Sequence, residues 1–205
     1  MKQLTLLLLL TAALPLSAQH REWRGGALLS NQVVSFPVTG FPSVFRSAIH
    51  PGLDGYLETR LNKKEHNQFV LQLGLGVLYH RFFQTAIKLY PWLDYRYAPK
   101  GPWKVSVGLG AGYQHSFPAY GILRKNAAGE WVQIPAWHGR PQFIAGAGLG
   151  VSRAMQSDDP DGIRWEFRLR SSIQTPFAKS YIPMIPYNSV MLGLSLPVQC
   201  KGGKK

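Results

Sequence analysis

Apolar side chains recur at every second position along seven segments of the sequence, and this alternation constrains the fold more than any other feature. In each segment apolar residues occupy one parity, whereas charged residues, polar residues or glycines occupy the other. Successive side chains of a β-strand point to opposite faces, so a period of two predicts strands rather than helices. The segments are residues 52–61, 68–80, 87–97, 103–114, 143–151, 163–173 and 189–198.

Two parts of the pattern are less regular. An eighth strand is predicted between residues 22 and 36, but its alternation does not settle which side chains share a face. Pro91 lies inside the third clear segment. Because proline cannot donate a hydrogen bond to a neighbouring strand, a bulge or a change of phase is predicted there.

The polar faces distinguish between two kinds of β-protein. The segments around residues 58, 94 and 166 carry charged side chains on this face, whereas other segments carry rows of glycines. Glycine on a solvated face would only weaken the strand. In the crowded interior of a small closed barrel, glycines leave room for the long side chains of other strands. We therefore predict an all-β fold, an eight-stranded antiparallel up-and-down transmembrane β-barrel, with a soluble barrel or sandwich as the alternative.

The connections between the strands also favour a membrane barrel. Short turns at one end and long loops at the other are typical of outer-membrane barrels, whose long loops are extracellular. The predicted short turns are residues 62–67, 98–102 and 157–162. The predicted links at the other end are residues 37–51, 80–84, 116–141 and 174–186, of which only 80–84 is short. Aromatic residues are also expected in the two interfacial belts. These are Phe69, Tyr97, Trp103 and Trp165 at the end with the short turns, and Tyr79 and Tyr113 at the end with the long loops.

The N-terminal residues have the features of a secretory signal peptide. Lys2 precedes an apolar stretch over residues 4–16, and Ser17, Ala18 and Gln19 follow. A positive charge, an apolar core and small residues are the three parts of such a signal. The stretch is shorter than the about 20 residues that a membrane-spanning helix needs. We therefore expect this segment to be removed on export.

The amino-acid composition narrows the classes of protein to which the chain can belong. Only 16% of the 205 residues are charged, and the formal net charge is +13. An average soluble domain has a higher charged fraction, about 25%. The single cysteine excludes a disulfide scaffold and a cysteine-based zinc site. A basic protein can bind nucleic acid, but we expect no nucleic-acid partner for an exported chain whose only basic run is its C-terminal tail.

The chain resembles a known architectural group in its signal sequence, its alternating strands and its turns. These features look like small eight-stranded outer-membrane proteins of the OmpA/OmpX type, and His50-Pro51-Gly52 and Gln174-Thr175-Pro176-Phe177 are similar to segments of uncharacterised Gram-negative barrel proteins. The resemblance implies a location in the cell outer membrane. It implies a signal peptide over residues 1–19, a barrel over 20–199 and a basic tail over 200–205. Barrels of this class usually end in an aromatic residue, whereas this chain continues through Cys200 into the tail.

Charged side chains on the polar faces are predicted to point into the barrel lumen. Isolated charges in a narrow interior are costly, whereas paired and hydrogen-bonded ones are tolerated. We therefore expect a salt-bridge network that plugs the lumen, with water around the three excess cations. The predicted lumen residues are Asp54, Glu58, Arg60, Lys88, Asp94, Arg96, Lys104, Arg164, Glu166, Arg168 and Arg170.

Basic residues also dominate the predicted extracellular loops, where Glu130 is the only carboxylate. Arg and Lys side chains pair favourably with phosphate groups. We therefore expect this surface to bind outer-membrane lipids, including anionic lipopolysaccharide, and an envelope protein is a further candidate partner. The predicted lipid-phosphate contacts are Arg46, Arg81, Arg124, Lys125, Arg140 and Lys179.

The sequence favours a structural or surface-binding role over catalysis. The first alternative is a hydrolase that modifies lipid A, with His115, Ser116 and Glu130 as catalytic candidates. Lipid A deacylases on eight-stranded barrels have a His-x-Ser pattern, whereas here the two residues are adjacent and would point to opposite faces of a strand. The second alternative is a narrow pore or an accessory subunit of an envelope export or uptake complex.

Two further motifs are interpreted as structural. Four histidines, His50, His80, His115 and His138, are predicted at the outer rim, but they come from separate loops without ligand spacing. We therefore predict no metal site and no cofactor. The glycine rows within residues 74–76 and 108–112 belong to strand interiors rather than to a phosphate loop, because no helical pattern follows them.

Overall fold

A computed structural model describes residues 23–156, 159, 161–177 and 182–198. The predicted signal peptide over 1–19 and the basic tail over 200–205 lie outside these residues and remain predictions. The described strands are β1 (Trp23–Val34), β2 (Pro51–Arg60), β3 (Asn67–His80), β4 (Gln84–Tyr97), β5 (Trp103–Pro118), β6 (Ile122–Lys125), β7 (Trp131–Ile134), β8 (Arg140–Ala154), β9 (Arg164–Thr175) and β10 (Ile185–Val198). Two short 3-10 helices, η1 (Phe41–Phe45) and η2 (Ala136–His138), lie in the connections. Within the described residues, no helix combines the length and the apolar character that crossing a membrane requires.

Eight of the strands form a closed antiparallel barrel in which neighbours in the sheet are also neighbours along the chain. The barrel closes where β1 pairs with β10, from Trp23 opposite Val198 to Val34 opposite Tyr187. The short strands β6 and β7 form a separate hairpin above β5 and β8. The predicted eight-stranded up-and-down barrel is therefore confirmed. A closed ladder suits a membrane because every strand has a hydrogen-bonding partner on both sides.

The two faces of the barrel wall differ sharply in polarity. The outward positions are apolar and exposed, as at Leu75 (58% exposed) and Leu109 (64%), whereas the inward Gln72 is fully buried. A continuous apolar surface of this kind is not compatible with water and is the surface that a transmembrane barrel presents to lipid. The strand with ambiguous phase follows the same rule, because Leu28, Ser30 and Gln32 of β1 are buried.

Pro91 disturbs the barrel less than the sequence suggests. Its partner on β3 is Leu73, and the register between β4 and β5 is the same before and after it, from Leu89 opposite Tyr113 to Trp92 opposite Gly110. The predicted bulge or change of phase is therefore wrong. Proline lacks only its own N–H, so a strand that is well paired on both sides of it keeps its register.

The two ends of the barrel are built differently. The terminal end contains the start of β1, the end of β10 and the short connections after β2, β4 and β8. The loop end contains η1, the β6–β7 hairpin, η2 and the connection between β9 and β10. The lumen between them is filled by side chains from all eight strands, and the functional candidates lie in this lumen and at both of its ends.

Candidate functional site

The inward positions bring the predicted lumen charges together along the barrel axis. Ten of these eleven side chains are buried, and Arg60 is half-buried at the terminal end. Each one stands on an inward position of its strand because period-two alternation places it on the face opposite the apolar residues. The lumen is thus a column of charged and amide side chains rather than an apolar core.

Two arginines and two glutamates form the lower part of the column. Arg96 donates two hydrogen bonds of 2.9 Å to the two carboxylate oxygens of Glu58, a bidentate pair. The Arg168 guanidinium lies 2.7 Å from Glu166, 3.8 Å from Glu58 and 3.9 Å from Asp94. Such planar pairs are among the strongest charge-assisted hydrogen bonds.

A second group of polar side chains continues the column toward the loop end. Lys88 lies 3.4 Å from Asp54, which also accepts a 2.8 Å hydrogen bond from the Tyr90 hydroxyl. Arg170 donates to the same hydroxyl at 2.9 Å. The side-chain oxygen of Gln72 accepts hydrogen bonds from both Arg168 (2.8 Å) and Arg170 (3.1 Å), so it joins the two groups into one network.

Aromatic rings complete the column, and they are the lumen partners that the sequence analysis missed. The Arg168 guanidinium stacks over Tyr56 at 4.7 Å, and the Arg170 guanidinium stacks over Trp92 at 4.2 Å. Buried cation–π contacts of this kind stabilise the cation without a second carboxylate. The alternation already placed these rings on the inward face, but it does not say which charge each ring contacts.

Glycines provide the space for this column. A Cβ added at Gly76 would overlap the Asp54 carboxylate, and one added at Gly108 would overlap Asp94 and the Trp92 indole. Gly76 is the cross-strand partner of Asp54, and Gly108 is that of Asp94, so each glycine makes room for a charged side chain on the neighbouring strand. What remains empty in the centre is a cavity of about 50 Å³ beside Tyr90, Trp92 and Arg170.

A layer of glutamines closes the column below the loop end. Gln174 donates to Gln142 at 2.5 Å, and Gln84 donates to Gln174 at 2.8 Å and to the Tyr187 hydroxyl at 3.2 Å. These amides are buried, and each is satisfied largely by another amide. Nothing in the sequence distinguishes these glutamines, because glutamine has no charge and they belong to no motif.

The predicted phosphate contacts at the loop end have different surroundings. Arg46 is exposed, Arg81 lies over the Phe82 ring at 5.6 Å, and Lys125 lies over the Trp131 ring at 5.2 Å. Arg140 is half-buried, stacks on Phe177 at 5.2 Å and donates a 2.8 Å hydrogen bond to its carbonyl oxygen. Only the backbone of Arg124 is described, and Lys179 lies outside the described residues.

The three catalytic candidates are not brought together. Ser116 is fully buried on the inward face of β5. His115 is on the opposite face, where its Nδ1 atom lies 2.7 Å from the Tyr113 hydroxyl. Glu130 is at the exposed tip of the β6–β7 hairpin and accepts a hydrogen bond from Asn126. The opposite directions of His115 and Ser116 follow from the strand geometry predicted for adjacent residues.

Two of the four rim histidines meet, which the sequence analysis did not predict. The rings of His50 and His80 are stacked with centroids 3.6 Å apart, and both are buried. Burial lowers the pKa of His50, in the loop before β2, below its usual value of 6.5. His115 and His138 instead contact Phe117 and Trp137. Within the described part of the chain, no three His, Cys, Asp or Glu side chains form a metal-binding group.

The closed eight-stranded ladder, the apolar exterior and the charged interior define the class of small outer-membrane β-barrels. The crystal structure of Neisserial surface protein A, from Neisseria, matches over 87% of this chain and 97% of that one, at 10% identity and a TM-score of 0.50. The N-terminal β-barrel domain of OprF from Pseudomonas aeruginosa covers 86% of this chain and 100% of its own, at 10% identity and a TM-score of 0.44. Ail of Yersinia pestis covers 87% and 97%, at 9% identity and a TM-score of 0.45.

These similarities concern the fold. No family model matches the sequence, and no curated protein matches it. The architecture predicted from the alternation is therefore the one that solved outer-membrane barrels have, and it agrees with the predicted location in the cell outer membrane.

Proposed function

We propose that the protein is an integral barrel of the outer membrane with a closed lumen, and that its loop end binds the anionic headgroups of lipopolysaccharide. The observation that carries this proposal is the pairing of exposed cations with aromatic rings at the loop end, at Arg81 with Phe82 and at Lys125 with Trp131. Aromatic side chains favour the interfacial region of a membrane, where the lipid phosphates lie. A cation beside such a ring can therefore reach a phosphate.

The charge of the loop end supports the same proposal. Glu130 is its only carboxylate, and that group is already engaged by Asn126. Arg46 is exposed in the connection between β1 and β2, and the preceding Phe45 is 72% exposed in η1. A surface with one sign of charge and exposed apolar residues fits an amphiphilic anion better than it fits a neutral or cationic partner.

A closed lumen is the second part of the proposal. The buried network of Glu58, Arg96, Glu166 and Arg168 lies across the barrel, and the central cavity of about 50 Å³ holds only a few water molecules. An ion that crossed this column would have to separate charged pairs that have no other source of solvation. The expected result in planar bilayers is no channel conductance, and stable unitary currents would contradict it.

The loop-end proposal is tested by measuring how tightly the barrel binds lipopolysaccharide with and without its phosphates. The purified barrel is titrated with lipopolysaccharide aggregates and with the same lipid after removal of its phosphates. The triple variant Arg46→Gln, Arg81→Gln, Lys125→Gln should weaken binding to the phosphorylated form by about tenfold, since three exposed charge contacts of about 0.5 kcal/mol each add up to about 1.5 kcal/mol.

The matched control removes the same number of charges from the terminal end, with Lys63→Gln, Lys64→Gln and Lys100→Gln. This variant should bind as tightly as the unchanged protein. Equal weakening in both triple variants would mean that only the net charge matters. An unchanged affinity in the loop-end variant would overturn the proposal.

A further inference from the structure

A second cavity lies at the terminal end of the barrel, opposite the loops. Its volume is about 370 Å³, which is within the range of small-molecule sites. It lies between the starts of β1 and β9, the end of β2 and the connection from β8 to β9. Its charged lining residues are Arg24, Glu58, Arg60, Arg96, Lys104, Asp159, Asp161 and Arg164.

Among the described residues that line this cavity, cations outnumber carboxylates by five to three. One of the carboxylates, Glu58, already forms the bidentate pair with Arg96 inside the lumen. Four cations and two carboxylates remain among the described lining residues, so their net charge is positive. In a partly enclosed cavity such a balance attracts anions more strongly than the same charges would on an open surface.

Asp161 neutralises part of this charge from outside the barrel wall. It belongs to the connection between β8 and β9, and its side chain is 77% exposed. Its carboxylate lies 2.9 Å from Arg164 and 3.5 Å from Lys104. A carboxylate on a surface turn thus reaches back to two cations whose own side chains are buried in the mouth, as an anionic ligand would.

Two arginines in the cavity have donors that the described residues leave unused. The Arg60 side chain makes no hydrogen bond or ion pair with any described residue, although the residue is half-buried. Arg24 donates to the carbonyl oxygens of Asp161 (2.6 Å) and Gly162 (2.5 Å), but its buried Nε has no partner among the described residues. A buried donor without an acceptor is costly, so these groups favour an added acceptor.

We propose that this cavity is a binding site for a small anion that carries phosphate or carboxylate groups. Arg24, Arg60 and Lys104 would provide the donors, and the Asp161 carboxylate competes with the anion for Lys104. Guanidinium groups suit both oxyanions because their N–H donors match two oxygens at once. The site lies on the side opposite the loop end, so it does not depend on lipopolysaccharide binding.

The test titrates the full barrel, purified from membranes in a neutral detergent at low ionic strength. Inorganic phosphate, pyrophosphate and citrate are separate titrants, followed by calorimetry and by the indole N–H signal of Trp23, which lines the cavity. Saturable binding of a phosphate probe or of citrate is expected, and the tighter probe gives the ligand class. Absence of saturable binding with all three probes would overturn the proposal.

Single substitutions distinguish a specific anion site from nonspecific attraction of anions to a basic protein. Arg60→Gln and Lys104→Gln should each weaken binding about tenfold, since each removes one charge-assisted contact. Asp161→Asn should tighten it, because it removes the competing carboxylate while leaving the donors in place. The control Lys63→Gln, on the exposed turn after β2, should bind as the unchanged protein does.

The opposite effects of the variants make the result decisive. If Lys63→Gln weakens binding as much as Arg60→Gln, the anion responds to net charge and no site exists. If Asp161→Asn binds no more tightly than the unchanged barrel, the carboxylate does not compete with the anion and the proposal is wrong. Heat-dependent migration on detergent gels identifies any variant that fails to fold. If Arg60→Gln or Lys104→Gln fails to fold, Asp161→Asn still tests the proposal, because the Asp161 side chain is exposed.

Discussion

Among single residues, Arg168 has the densest set of partners in the lumen. It pairs with Glu166, approaches Glu58 and Asp94, donates to Gln72 and covers the Tyr56 ring. Removing the guanidinium therefore leaves buried carboxylates without a counter-charge, which costs more than the original pair contributed.

We expect Arg168→Leu to lower the free energy of unfolding by about 3–5 kcal/mol, the usual cost of breaking a buried pair. Urea unfolding in lipid vesicles measures the change. Lys100→Gln, on the exposed turn after β4, is the control and should differ from the unchanged protein by less than about 0.5 kcal/mol. Equal stability of the two variants would show that the lumen network does not stabilise the barrel.

His50 makes the stability of the loop end depend on pH. Its pKa in the folded protein lies below the usual value of 6.5 because the ring is buried. The unfolded chain therefore takes up a proton first as the pH falls. The contribution of the neutral, buried ring is complete above pH 6.5 and is lost progressively below it.

The expected result is a fall in unfolding free energy between pH 7 and pH 5 that is steeper than in the variant His50→Phe. Phenylalanine retains a ring against His80 and cannot be protonated. Urea titrations at several pH values measure both slopes. Parallel slopes for the two proteins would mean that another group causes the pH dependence.

At the scale of strands, the seam between β1 and β10 depends on one glycine. A Cβ added at Gly193 would overlap the backbone oxygen of Ala27, whereas one added at Gly55 on β2 would meet no atom within 4 Å. Backbone cannot move aside as a flexible side chain can. Overpacking of this kind usually costs about 1–3 kcal/mol.

Gly193→Ala should therefore destabilise the barrel by about this amount and lower the temperature at which its compact form is lost on a detergent gel. Gly55→Ala is the matched control, and it should be neutral or slightly stabilising because alanine restricts the unfolded chain. If both variants lose their compact form at the same temperature, the close approach of β1 and β10 does not require Gly193.

The strands could be predicted from the sequence because burial on one face imposes a period of two. The phase of β1 was ambiguous because the apolar Leu28 shares the inward face with the polar Ser30 and Gln32, whereas the polar Asn31 has the parity of the outward Leu29. Asp161 was assigned only to a turn, and nothing in the alternation indicates that its side chain returns to Lys104 and Arg164. Contacts of this kind depend on how a connection folds back, which local pattern does not encode.

At the scale of the whole molecule, one wall separates three environments. Exposed apolar residues face lipid, charged pairs fill the lumen, and two ends with different connections face the aqueous compartments. Each environment follows from the same alternation along eight strands. The proposed functions at the two ends therefore share one requirement, that odd positions of β5 lie in hydrocarbon and even positions lie inside.

A spin-label scan over residues 104–107 of β5, in a Cys200→Ser background and in lipid bilayers, tests this requirement most directly. Val105 and Val107 are exposed on the outward face, whereas Lys104 and Ser106 point inward. We predict frequent collisions with dissolved oxygen at 105 and 107 and few at 104 and 106, with a water-soluble nickel complex excluded from the outward pair. Uniform oxygen access along the four positions, or nickel access at 105 and 107, would contradict the membrane barrel.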